Sequence, residues 1–232
     1  ADSVLALFTA DLARGVSEGY YWFTIIVNIL GILLGIFAAL RRNTIWDSIS
    51  TVIAVLGVSV PSFVLCLILL IAFGVKIPVF PILFNSSQPI KSSIIPIIAL
   101  SFSVIANVAR FTRSEMVEVL SSDYMLLAES KGLDRKTLIR RHAIRNTLIP
   151  VITVLAPIMV ALMTGSMVIE QICGIPGLGS LLVQSITVND YNVTIAVAFI
   201  YSVMYIAMML IVDILYGIID PRIRLGKENG NE

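Results

Sequence analysis

ARFTRSEMVEVLSSDYMLLAESKGLDRKTLIRRHAIRNTLIP, residues 109–150, is a charged island in a chain that is otherwise close to continuous hydrocarbon. It carries 8 of the 16 Lys and Arg residues: Arg110, Arg113, Lys131, Arg135, Lys136, Arg140, Arg141 and Arg145. Across its 232 residues the chain is 58% hydrophobic and 13% charged, with a mean hydropathy of +0.97. Soluble domains carry about 25% charged residues, so this composition places the chain in a membrane. A polar segment kept together in such a chain is a candidate interaction site.

On either side of the island, five segments hold enough apolar residues, about 20, to cross hydrocarbon. They are about 20–40, 49–73, 94–110, 148–169 and 193–219. Helix is the expected form, because an open strand leaves backbone groups unpaired in lipid, and the dyad alternation of a membrane barrel is absent. The expectation is an all-α polytopic membrane protein. Residues 1–232 form one transmembrane domain, with a cytoplasmic elbow at about 111–147.

Lys and Arg set the orientation. Segments 41–48, 110–147 and 220–232 hold 2, 8 and 3 of them, or 13 of 16, while the opposite set holds Arg14, Lys76 and Lys91. Basic loops stay inside, so the island and the C-terminus are expected in the cytoplasm and the start of the chain outside. A further span upstream resolves that start, making six spans of which five are visible. Pro61, Pro96, Pro150 and Pro157 interrupt spans and read as kinks or as hinges. Gly31, Gly35, Ala38 and Ala39 suit close helix packing. Cys66 lies in an apolar run and Cys173 in a loop, so neither a disulfide framework nor a metal site is expected.

At helical spacing, residues 114–130 continue the third span, and Gly132 ends that helix in a left-handed cap. Asp134 is a candidate N-cap for a second helix over 135–146, which returns to the membrane near Pro150. The product is a helix–turn–helix elbow. Two readings stand on residue types alone: a short helix seated in a partner's groove, or an interfacial loop whose cations hold lipid headgroups.

The island resembles the coupling loop, or EAA loop, of ABC importer permeases of the oligopeptide/dipeptide/nickel branch. The resemblance rests on Ala109-Arg110-Phe111-Thr112-Arg113 with Met116-Val117-Glu118-Val119-Leu120. It continues through Asp123-Tyr124, Ala128 and Lys131-Gly132-Leu133 to Arg141-His142-Ala143-Ile144-Arg145-Asn146 and Pro150. Elsewhere, Ala38-Ala39-Leu40-Arg41-Arg42 with Asp47, Pro61-Ser62-Phe63, Glu170 with Pro176-Gly177-Leu178-Gly179, and Asp213 with Asp220-Pro221-Arg222-Ile223-Arg224 fit the same pattern in order. The match covers about residues 16–225. Leu126-Leu127 stands where other importers have the Glu and first Ala of EAA. Glu129 replaces a usually basic residue, Ser130 a usual Ala, and Cys173 a usual aromatic.

The resemblance implies a type I ABC importer permease fold and a set of partners. These are a second homologous permease, two ATPase subunits below, an extracytoplasmic solute-binding protein above, and membrane lipid, with no nucleic acid. It implies that Asp123, Tyr124, Ala128, Lys131, Gly132, Leu133, Arg140, Arg141, His142, Arg145, Asn146 and Pro150 form the ATPase-coupling loop. Leu133 and Leu138 would be its apolar anchor, and Arg135, Lys136, Arg140 and Arg141 its charged rim. Glu170, Pro176, Gly177 and Gly179 would form the external loop facing the binding protein. ATP and Mg would sit on the partners, with no cofactor on this chain and the substrate a short peptide. Alternatives are a nickel or metal-chelate importer and, more distantly, an ion-coupled secondary transporter.

The sequence holds no GxxxxGK[ST] phosphate loop, HExxH, GxSxG or CxxC, so hydrolysis is assigned to a partner and not to catalysis here. His142 is the only histidine and cannot build a metal site by itself; a structural hydrogen bond is expected of it. Asp213, inside the last apolar run, reads either as a functional intramembrane carboxylate or as an interfacial one. Glu170 reads as lining the external mouth or marking the interface.

Overall fold

The structure is a computed structural model that describes residues 16–163 and 166–219. The C-terminal stretch Asp220-Pro221-Arg222-Ile223-Arg224 lies outside the described residues. Helix α1 is Val16–Leu40. It ends in a turn where Asn43 takes a left-handed φ of 64°, and α2 (Ile45–Ser59) follows. Pro61 has no N–H and pushes the residue before it out of helical geometry. Val60 is accordingly extended, and α3 (Ser62–Leu70) starts afresh. The π-helical turn π1 (Ile71–Lys76) extends α3. The second expected span, 49–73, is therefore not one rod: its two parts meet at 93°.

Helix α4, Pro89–Leu120, is 32 residues long. At about 1.5 Å per residue it measures roughly 48 Å, more than a bilayer's hydrocarbon. It exceeds the expected 94–110 at both ends and carries the first part of the island. The expected continuous helix over 114–130 is broken at Ser121-Ser122. Both hydroxyls donate back to the last turn, Ser121 Oγ to the Val117 carbonyl at 2.8 Å and Ser122 Oγ to the Val119 carbonyl at 2.7 Å. Serine's bonds to its own backbone compete with helix continuation, and Ser122 is extended before α5 (Asp123–Ser130) begins.

After the turn, α6 (Arg135–Thr137), the π-helical segment π2 (Leu138–Ala143) and α7 (Ile144–Met163) follow without a break. The second elbow helix and the fourth span are one run containing Pro150 and Pro157. The fourth span is expected over 148–169; α7 is described to Met163, Ser166 is extended, and Ile169 belongs to a separate helix, α8 (Met167–Cys173). Ser166 Oγ caps α8 by accepting the Ile169 N–H. Helix α9 (Leu178–Thr187) meets α8 at 85°. Helix α10, Tyr191–Ile219, closes the described chain. Among the described residues, α4 and residues 191–214 are long and apolar enough to cross a membrane singly, and the two bent pairs qualify if each counts as one span.

Helix α4 is the hub, packed by α1, α2, α3 and α7. Small residues allow the closest crossing. A Cβ on Gly35 would stand 2.6 Å from the Ala109 carbonyl oxygen, and one on Gly31 2.7 Å from Val108 Cβ. This is small-xxx-small packing, which lipid favours because the solvent itself is apolar. The outward faces stay greasy: Ile26, Ile29, Leu33 and Leu34 of α1 are all exposed, as are Ile195, Phe199 and Ile206 of α10.

Candidate functional site

The elbow is built on a small core of its own. Met116 of α4, Met125 and Ala128 of α5, Leu138 and Ala143 of π2, and Ala39 of α1 are buried together. Thr147 is fully buried beneath them; its hydroxyl lies 2.9 Å from the Ala143 carbonyl and 3.2 Å from Met116 Sδ. These contacts join the end of α4, the hairpin turn and the start of α7 into one body. Thr147 is a joint that sequence reading missed, because one threonine in an apolar register carries no signal.

Ala128 thus faces inward, and Pro150 is half-buried in the α7 run. Asp123 is exposed in the first turn of α5, where a carboxylate suits the positive helix end, and makes no ion pair among the described residues. Lys131 is the exposed C-cap, and Gly132 takes φ +79°, the left-handed position that its lack of a Cβ allows. Asp134 caps α6 and accepts the N–H groups of Lys136 and Thr137, both at 3.2 Å. A hydrogen bond from the Thr137 side chain foremost, and then these backbone donors, hold its carboxyl below the ordinary value. Tyr124 Oη hydrogen-bonds His142 Nδ1, with the rings 5.6 Å apart, so His142 ties π2 back to α5. Lys136, Thr137, Arg140 and Arg141 line one shallow basic cleft, Arg145 is exposed and Asn146 half-buried.

The two leucines expected as the apolar anchor, Leu133 and Leu138, differ in exposure. Leu138 is in the core, whereas Leu126 and Leu127 are 60% and 56% exposed and Leu133 is 37% exposed. The two positions that depart from the EAA pattern therefore present the elbow's apolar surface.

A second lock holds the elbow to the turn between α1 and α2. Arg113 of α4 grips Asp47 of α2 with Nε–Oδ1 at 2.6 Å and Nη2–Oδ2 at 2.8 Å, and the Asn43 N–H donates to Oδ2 at 3.0 Å. The Arg113 guanidinium holds the Asp47 carboxyl below the usual carboxylate range. Both residues are visible in the sequence, but their pairing across 66 positions is not.

Glu170 lies at the other end of the bundle. It is buried, and its Oε2 accepts the Ser180 N–H at 2.7 Å. Ser180 Oγ accepts the Gly177 N–H at 3.0 Å. The two form a capping box divided between segments: Gly177, the N-cap, has no side chain, and Glu170 supplies the acceptor from ten residues upstream. Gly177 and Gly179 make room for it, since a Cβ on either would stand 2.5 Å or 3.0 Å from Oε2. Pro176 precedes them in the turn. Glu170 thus caps α9.

The elbow core uses Met116 of α4, while Ile169 and Cys173, which flank Glu170 on α8, cluster with Ile95 and Ala99 of the same α4. Seventeen residues separate Ala99 from Met116, roughly 26 Å along a helix, close to a hydrocarbon thickness of ~30 Å. The two groups of site residues are therefore not brought together; they stand at opposite ends of α4. Asp213 is exposed on α10.

Residues 31–225 match the family described as binding-protein-dependent transport system inner membrane component. The chain is 45% identical over 201 residues to the dipeptide transport system permease protein DppB of Lactococcus lactis subsp. cremoris, covering 87% of this chain and 66% of that one. It is 40% identical over 196 residues to the oligopeptide transport system permease protein OppB of Escherichia coli, covering 84% and 64%. The chain thus spans about two thirds of the length of the curated relatives it matches. A crystal structure of an amino acid ABC transporter with histidines superposes with a TM-score of 0.64 at 19% identity, covering 91% of this chain and 96% of that one. That likeness concerns the fold.

Proposed function

Because this chain belongs to the family of binding-protein-dependent transport system inner membrane components, we propose that it is one permease half of an ATP-driven peptide importer. It is a multi-pass membrane protein, and in this reading its elbow and C-terminus face the cytoplasm. The elbow seats on an ATPase subunit, a second permease completes the pathway, and a solute-binding protein delivers peptide to the outer face. ATP and Mg bind the partners.

The observation that carries the reading is the elbow's surface. Three exposed leucines, Leu126, Leu127 and Leu133, lie on a body braced by its own core, near the basic cleft of Lys136, Arg140 and Arg141. A rigid apolar patch with a cationic rim is what a docking helix needs, and a lipid-holding loop needs no such internal bracing. The names of the relatives favour peptide over nickel.

The test is mass spectrometry of what copurifies with the tagged full-length protein in mild detergent. Recovery of ATPase subunits and a second permease supports docking; a chain that purifies alone after crosslinking refutes it. Leu126→Asp with Leu127→Asp should abolish ATPase recovery and leave the fold intact, since neither side chain is in the core. Competition of labelled dipeptide uptake by longer peptides and by nickel then identifies the cargo.

A further inference from the structure

The sequence leads one to expect no bond between the two cysteines, yet the fold brings them together. Cys66 of α3 and Cys173 at the end of α8 are free but fully buried, with their sulfurs 3.7 Å apart across 107 positions. They share one apolar cluster with Leu70, Ile95, Ala99 and Ile169. The backbone at Cys173 is fixed from both sides: its carbonyl accepts the Phe84 N–H at 2.7 Å, and Gly174 follows in a left-handed turn with φ 64°. No third ligand accompanies them, because no group of three His, Cys, Asp or Glu that could hold a metal occurs among the described residues.

We propose that Cys66 and Cys173 are joined by a disulfide in the mature protein, stapling the outer half of the bent second span to the outer hairpin. This rests on the proposed orientation, which puts that end of the bundle on the oxidising side of the membrane. A bond of about 2.05 Å requires the sulfurs to close from 3.7 Å by less than 2 Å. The co-reactant is an extracytoplasmic thiol–disulfide oxidoreductase. One cysteine loses its proton and its thiolate attacks the oxidant's disulfide, forming a mixed disulfide and releasing one thiol. The other cysteine's thiolate then displaces the second oxidant sulfur. Two electrons and two protons leave the chain, and the oxidant becomes a dithiol. Because both sulfurs are sealed in the folded protein, the bond forms before α8 packs on α3, and it is later shielded from reductants.

The experiment uses the full-length protein expressed with its partners. Membranes are quenched in acid and denatured in detergent with N-ethylmaleimide. They are then reduced and treated with isotopically heavy iodoacetamide, and Cys66 and Cys173 are assigned by peptide mass. The expected result is heavy label on both residues, with Cys66→Ser moving Cys173 to the N-ethylmaleimide fraction. N-ethylmaleimide on both wild-type cysteines overturns the bond. Orientation is read separately from Gln88→Cys, in a chain with both native cysteines changed to Ser, using a membrane-impermeant maleimide on intact cells. Labelling there with free native thiols leaves the orientation standing and the bond refuted. Labelling only after permeabilisation refutes the orientation and, with it, the oxidising environment the bond requires.

Discussion

Two single residues carry much of the elbow's geometry. Gly132 has φ +79° with no atom within 4 Å of a notional Cβ. A side chain there meets no clash, only the left-handed backbone penalty of roughly 1–2 kcal/mol. Gly132→Val should therefore lower the melting temperature slightly while re-aiming Leu133, cutting uptake far more than ATPase activity. Gly132→Asn, which tolerates that backbone, should restore most of the uptake. At the other lock, Asp47→Asn removes the charge that Arg113 grips and should cost about 2 kcal/mol. That is below the ~3–5 kcal/mol of a fully buried pair, because the Arg113 side chain is 28% exposed. The sign follows from the lowered folded pKa of Asp47. The extra stability is complete above the unfolded carboxylate value and disappears as pH falls through the folded one. Melting curves of wild type and Asp47→Asn should differ by a constant amount from pH 8 to about 5, begin to approach below about 4, and meet only below the lowered folded value of Asp47. Gly132 and Asp134 were legible because cap chemistry is local. The Asp47–Arg113 and Cys66–Cys173 pairs were not, since a partner 66 or 107 positions away leaves no mark on local pattern.

At the scale of elements, hydropathy located the helices better than it located their breaks. The 93° bend at Pro61 and the extended Ser166 before α8 are set by backbone chemistry inside predominantly apolar runs. Averaging over about 20 residues hides them. The crossing of α1 on α4 was legible as Gly31 and Gly35, one helical turn apart. Gly35→Leu should force these helices apart and destabilise the protein by about 1–3 kcal/mol, as overpacking does, with loss of folded protein in detergent as the readout. The outer hairpin offers a sharper test of mutual dependence. Gly177→Ala places a Cβ 2.5 Å from Glu170 Oε2. Its cost should shrink in a Glu170→Ala background, and a double-mutant cycle showing strict additivity would contradict the cap assigned to Glu170.

Across the whole molecule, the unbroken run from Arg135 to Met163 has a mechanical consequence. In the proposed reading, the segment that docks on the ATPase and the segment that crosses the membrane are the two arms of one lever, pivoting where Thr147 is wedged against Met116. The inner arm, from Arg135 to Thr147, is about 18 Å long and the outer arm, to Met163, about 24 Å. A tilt of about 10° imposed at the elbow swings the far end by roughly 4 Å, delivered beside the break before α8 without any chain of side-chain rearrangements. Softening the pivot with Thr147→Gly and Leu148→Gly should leave ATPase recovery unchanged while uptake collapses: the handle would still be held, but the rod would flex instead of turning.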